Sequence, residues 1–175
     1  GRTPINTKLF SRSQINKAYD LIRTAVNSGQ QAYVVLPLVD ESEKLDLRSA
    51  IKVHEELSNE VFSNLSVGLL HGRMNSVDKQ RVIEKFLSKK FDILVSTTVV
   101  EVGVDIPNAT VMLIDNADRF GLAQLHQLRG RVGRGAFQSH CILIYDGNQR
   151  ASRQRLDVLA RTNDGFEISE IDLQL

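Results

Sequence analysis

Residues Ile15–Pro37 read INKAYDLIRTAVNSGQQAYVVLP, and the change of period inside this stretch decides the fold. Ile15, Ala18, Tyr19, Ile22, Ala25 and Val26 recur at i, i+3, i+4 and i+7, so they line one face of an amphipathic helix. Ser11 or Ser13 can cap its start, and Gly29 follows it as the stop. Then Ala32-Tyr33-Val34-Val35-Leu36 is apolar without alternation, which predicts a short strand buried on both faces. Pro37 cannot donate to a ladder, so it ends the strand or places it at an edge.

The same pairing repeats down the chain. A helix is expected over 48–62 with Ile51, Leu57 and Val61, then a strand at 65–70. Ser76 can cap a helix burying Val82, Ile83, Phe86 and Leu87. Strands follow at 92–96 and 110–114, a helix at 121–129, a strand at 140–145 and a helix at 149–162. Apolar strands alternating with helices predict an α/β fold, a parallel sheet with helices on both faces. Such sheets take ligands beyond the carboxyl ends of their strands, which points to 71–74, 97–105 and 115–134. The acidic stretch 163–175 lacks periodicity. The chain is therefore expected to hold one domain over 1–162 and the start of a following segment over 163–175.

The chain has 175 residues, 42% hydrophobic and 25% charged, enough for a sizeable core and unlike a disordered tract. One cysteine excludes an internal disulfide framework and fits a reducing cytosol, so a cytoplasmic location is expected. No apolar stretch reaches the ~18–20 residues of a membrane span, and no signal peptide is visible. The net charge of +1 conceals an uneven distribution: residues 129–161 hold seven Arg and two Asp. Local fields therefore matter more than the total.

The densest chemistry is in Gln127–Gly135, QLRGRVGRG. Glycine lets backbone approach a ligand closely, and arginine offers a permanently charged planar fork for phosphate oxygens. Read alone, the string also suits a solvated Gly/Arg loop, or an arginine held by a carboxylate on a neighbouring helix. The second segment is Ile93–Pro107, ILVSTTVVEVGVDIP: a strand ending in Ser96, Thr97 and Thr98, whose hydroxyls and amides can meet a phosphate. Gly103 and Asp105 could bring a carboxylate to a ribose hydroxyl, and an ordinary turn before Pro107 is the plainer alternative. There is no G-x-x-x-x-G-K-[ST] string, so these residues do not cradle a triphosphate in the P-loop way. Val39-Asp40-Glu41-Ser42 superficially resembles a magnesium-binding acidic pair, but Pro37 interrupts its strand and no phosphate loop precedes it. One Cys and scattered His54, His71, His126 and His140 make no metal spacing, and Cys141 reads as core.

Together these segments resemble the second RecA-like domain, the helicase C-terminal domain, of superfamily 2 helicases. Residues 95–105 look like motif V. Gln127, Gly130, Arg131, Gly133 and Arg134 look like motif VI, with Gln where DEAD-box members carry His. His71-Gly72-Arg73-Met74 looks like the element after motif IV, and Tyr33–Leu38 like motif IV itself. The unbroken GLAQLHQLRGRVGR over Gly121–Arg134 is typical of the RecG-type family and of the transcription-repair coupling factor Mfd. PLVDESEKLD over Pro37–Asp46 and DGFEISEIDL over Asp164–Leu173 look like the RecG type.

That resemblance implies a RecA-like, P-loop NTPase-like fold without its own P-loop, and a parent that is an ATP-dependent DNA helicase remodelling stalled forks and Holliday junctions. It implies that Arg131 and Arg134 reach the ATP phosphates, with Arg134 as the arginine finger. Gln127, Gly103, Asp105 and Gly130 would line the nucleotide, Asp105 toward the ribose. His71, Gly72, Arg73, Thr97 and Thr98 would face the DNA backbone. The expected partners are branched DNA, plus the N-terminal RecA-like lobe and wedge domain of the same parent, which is expected to be monomeric and not at a membrane. Mg²⁺ would be held by that first lobe, and no metal by these residues. The alternatives are an Mfd-like translocase domain, or a stand-alone nucleic-acid or protein interaction module. Without the first lobe these residues are expected to hydrolyse no ATP.

Overall fold

The structure, a computed structural model, describes residues 4–37, 43–97, 105–146 and 150–162. The chain begins with β1 (Asn6–Ser11) and a 3-10 turn (Arg12–Gln14), then α1 (Ile15–Asn27) and β2 (Gln31–Val35). Next come α2 (Glu43–Glu56), widening into a π turn over Leu57–Val61, then β3 (Val67–Leu70), α3 (Ser76–Leu87) and β4 (Ile93–Ser96). β5 (Ala109–Ile114), a 3-10 turn (Ala117–Arg119), α4 (Leu122–Arg129), β6 (His140–Tyr145) and α5 (Arg150–Arg161) complete it.

The six strands form one sheet in the order β1-β6-β5-β2-β4-β3, and every pairing is parallel. The expected α/β class and its helices on both faces are what the structure has. Successive residues of β2 point to opposite faces, which fits the two-period of a strand. Ala32 and Val34 join Ala18, Ile22 and Phe62 beneath α1 and the turn after α2. Tyr33 and Val35 join Phe86, Leu122, Leu125, Leu156 and Leu159 beneath α3, α4 and α5. Tyr33 and Phe86 meet edge to face, with centroids 5.2 Å apart. Truncating a fully buried leucine such as Leu122 to alanine in such a core costs about 2–5 kcal/mol.

Several local readings change: Leu87, expected in the core under its helix, is exposed, and so is Ile51. β1 was not expected: in NTKLFS the apolar residues Leu9 and Phe10 stand side by side, so neither a run nor an alternation marks the strand. It exists through tertiary pairing with β6, from Asn6 opposite His140 to Ser11 opposite Tyr145. The cap of α3 is Asn75, not Ser76, and its side chain accepts the Asp78 N–H at 2.8 Å. Gly29 ends α1 as expected, with φ of +87° and its N–H donated to the Val26 carbonyl.

Candidate functional site

The sequence-derived residues separate to two places. His71, Gly72, Arg73 and Thr97 lie at the carboxyl ends of the adjacent strands β3 and β4. The Thr97 N–H donates to the Leu70 carbonyl at 3.2 Å, which sets the two strand ends side by side. Gly72 and Arg73 are exposed, and the Arg73 N–H donates to His71 Nδ1 at 3.2 Å. Burial, then the charges of Lys79 and Arg73, hold the His71 imidazole below its ordinary pKa. Thr97 is only 8% exposed and so offers little surface to a ligand. Thr98 and Gly103 lie outside the described residues, as do Asp40, Glu41 and the 164–173 segment.

Asp105, Arg131 and Arg134 gather elsewhere, and this corrects the expectation that all the polar segments sit beyond the carboxyl ends. The Gln31 N–H at the start of β2 donates to the Asn108 carbonyl, so residues 105–108 stand near the amino ends of the strands. Arg134 Nη1 is 3.7 Å from Asp105 Oδ2. One residue further on, a Cβ on Gly135 would come within 2.7 Å of the Pro107 carbonyl oxygen. The end of motif V and the end of motif VI are therefore in direct contact. The reason is that α4 runs back along the sheet after β5 and delivers its C-terminus next to the turn that enters β5.

The loop after α4 is tightly determined. The Gly130 N–H returns to the His126 carbonyl and closes the helix. Gly133 adopts φ of +80°, a left-handed conformation that suits glycine, and its N–H donates to the buried Ser139 Oγ at 3.0 Å. Val132 is fully buried. Arg131 and Arg134 flank it, and the Arg134 Nε donates to the Gly130 carbonyl at 3.1 Å. Gln127, Gly130, Arg131 and Arg134 line one open cleft of about 420 Å³. Burial pushes the Tyr33 phenol above its ordinary pKa, while Arg131 lowers it and Asp105 raises it, so both charges lie within electrostatic reach of the sheet centre.

Two guanidiniums in an open cleft, with one carboxylate beside Arg134, suit a polyanion carrying a hydroxylated sugar. The residues fit half of a nucleotide site, the half that reaches toward phosphates from outside. Among the described residues, no three His, Cys, Asp or Glu side chains gather to hold a metal. No helix among them is long and apolar enough to cross a membrane.

The third arginine of the motif does different work. Arg129 is 2% exposed and donates to the Leu159 carbonyl, to the Thr162 carbonyl at 2.8 Å and to Thr7 Oγ1 at 3.3 Å. It ties α4 to the end of α5 and to β1. Spacing alone could not distinguish it from Arg131 and Arg134. A second cluster was missed altogether. Arg12 meets Asp115 at 2.5 Å and Asp146 at 2.8 Å, and donates to Asn116 Oδ1 at 3.2 Å. Burial alone would lower its pKa, but the two carboxylates outweigh that and raise it. The cluster joins the carboxyl ends of β1, β5 and β6, which are distant in sequence. Cys141 is fully buried, as read, and burial pushes its thiol up to about 12.

The arrangement of motifs on this sheet defines a class. The helicase conserved C-terminal domain family matches residues 13–136, and the chain belongs to that family. Within it, the chain is 50% identical over 175 residues to the ATP-dependent DNA helicase RecG of Synechocystis sp., covering all of this chain and 21% of the relative. It is 47% identical to RecG of Thermotoga maritima, covering 99% and 22%, and 47% identical to RecG of Bacillus subtilis, covering 100% and 26%. The chain thus spans about a fifth to a quarter of the curated relatives it matches. A structure of RecG bound to a three-way DNA junction superposes with a TM-score of 0.83 at 44% identity, covering 99% of this chain and 22% of that one. Domain 2 of the DEAD-box helicase Mss116p superposes at 0.65 with 19% identity, over 88% of this chain and 59% of that one, a likeness of fold.

Proposed function

We propose that this chain is the second motor domain of an ATP-dependent DNA helicase that remodels branched DNA such as stalled forks and Holliday junctions. The observation that carries the proposal is the meeting of Asp105 and Arg134 beside a cleft lined by Gln127, Gly130, Arg131 and Arg134. ATP would bind chiefly on the P-loop lobe of the parent, with Mg²⁺ held there. Its hydrolysis supplies the free energy for moving DNA. When the lobes close, Arg134 aims a guanidinium at the γ-phosphate, where charge spreads over the equatorial oxygens in the transition state. Arg131 supports the same phosphates, Asp105 orients the ribose, and Gln127 with Gly130 bounds the nucleotide. His71, Gly72 and Arg73 face a DNA backbone from the other end of β3 and β4, where the largely buried Thr97 supports the strand end without offering much surface of its own. Nucleotide and DNA groups at opposite ends of one sheet let lobe closure at one end be felt at the other. The parent works as a monomer in the cytoplasm, with residues 1–162 as the domain and 163–175 opening the next segment.

The test is reconstitution. This chain is mixed with the separately produced P-loop lobe and branched DNA, and phosphate release is followed. The expected result is ATP hydrolysis that depends on both pieces. Hydrolysis by the first lobe alone, unchanged by adding this chain, would contradict it.

A further inference from the structure

Gly135 follows the finger candidate and has an ordinary backbone φ, unlike Gly133 at +80°. Its conformation does not require glycine, but its surroundings do. A Cβ built there would stand 2.7 Å from the Pro107 carbonyl oxygen and 3.4 Å from the Pro107 carbonyl carbon. These are backbone atoms, so no side chain can swing away to make room. Pro107 itself has little freedom: its φ is fixed by its ring, and the Ile106 carbonyl before it accepts the Ala109 N–H at 3.0 Å. Ile106 and Val132 are buried in the same core.

We propose that Gly135 is a positioning residue for Arg134: its missing side chain lets the loop seat on the Pro107 carbonyl, which holds the guanidinium opposite Asp105. The proposal rests on Arg134 acting as the finger. A carbon–oxygen contact relaxes to about 3.3 Å, so alanine at 135 forces the two segments apart by about 0.6 Å. One segment carries Asp105 and the other carries Arg134, so whichever yields, the placement of the guanidinium relative to Asp105 changes. Misplacement of a reacting group by about 1 Å costs about a hundredfold in rate, so roughly tenfold is expected here.

Gly135→Ala, Arg134→Ala and the double variant are made in the full-length parent, with kcat and DNA dissociation constant measured on branched DNA. Gly135→Ala should lower kcat about tenfold with an unchanged DNA constant, and should add less than twofold on top of Arg134→Ala. In the 175-residue chain, its Arg134 Nε–H resonance should move while the Arg129 resonances stay. A Gly135→Ala kcat within twofold of the parent, beside a crippled Arg134→Ala, overturns the proposal alone. A loss that multiplies fully with that of Arg134→Ala, or a Gly135→Ala chain that does not fold, also overturns it. A near-normal Arg134→Ala removes the finger reading and this proposal with it.

Discussion

Arg134 Nη1 stands 3.7 Å from Asp105 Oδ2, and the two side chains are 37% and 51% exposed. An ion pair this open is worth about 0–1 kcal/mol, because water screens it and two side chains must be held still. It keeps the guanidinium near the cleft without holding it back. An arriving phosphate, with more charge and more acceptor oxygens, competes easily for the same donor.

Asp105→Asn should therefore leave the fold nearly untouched while weakening nucleotide use. The chain's melting temperature should change by less than about 3 °C, since ~1 kcal/mol moves a domain of this size by about 2–4 °C. In the full-length parent the KM for ATP should rise several-fold. A large loss of melting temperature would show that Asp105 belongs to the fold instead.

Arg129 behaves in the opposite way. Its removal strands the buried Leu159 carbonyl, takes a donor from the part-buried Thr162 carbonyl and leaves a cavity, with the unsatisfied buried group alone costing about 1–3 kcal/mol. Arg129→Ala should lower the urea midpoint of the chain, corresponding to a loss of at least about 2 kcal/mol in stability. Lysine should not restore it, because one ammonium cannot reproduce the planar fork. Equal midpoints for Arg129→Ala and Arg134→Ala would contradict the assignment.

The sequence made the alternation of helix and strand legible wherever a strand was buried on both faces, as in Tyr33–Val35 or Ile93–Val95. β1 was hidden because its edge position leaves it without an apolar run. Motifs V and VI were legible as strings, and their contact at Pro107 and Gly135 was not. The carboxyl-end rule located His71, Arg73 and Thr97 and misplaced Asp105 and Arg134, since it takes no account of where a returning helix ends. The Arg12–Asp115–Asp146 cluster depends on strand order, which no local pattern encodes.

Stability should fall as the pH drops below about 6.5. Burial, then Lys8, lowers the pKa of His140, whose buried Nδ1 has no hydrogen-bond partner among the described residues, and burial also lowers that of His71. The unfolded chain then binds more protons than the folded one over that window, so acid favours unfolding. The contribution is complete above 6.5 and is lost as the pH falls through the depressed folded values. Urea midpoints at pH 7.5 and pH 5.5 check this, and His140→Gln should flatten the difference. A midpoint that rises on acidification would reverse the sign and refute it.

By itself this chain should bind ATP weakly, because it carries no phosphate loop. Its DNA binding should also be weak and fall steeply with salt, since it rests on releasing counterions from phosphates. Calorimetric titration with ATP, and DNA binding measured at 50 and 200 mM salt, decide both points. Micromolar ATP affinity, or DNA affinity indifferent to salt, would overturn them.

The most direct measurement is steady-state ATP hydrolysis by Arg134→Ala and Arg134→Lys in the full-length parent on saturating branched DNA. Arginine fingers are worth roughly 10³–10⁵ in kcat elsewhere, so a loss of at least about a hundredfold is expected even if Arg131 partly substitutes. Lysine should fail to rescue it, and the DNA dissociation constant should stay nearly unchanged. A near-normal kcat with a raised DNA dissociation constant would move Arg134 from the nucleotide to the DNA and contradict the account.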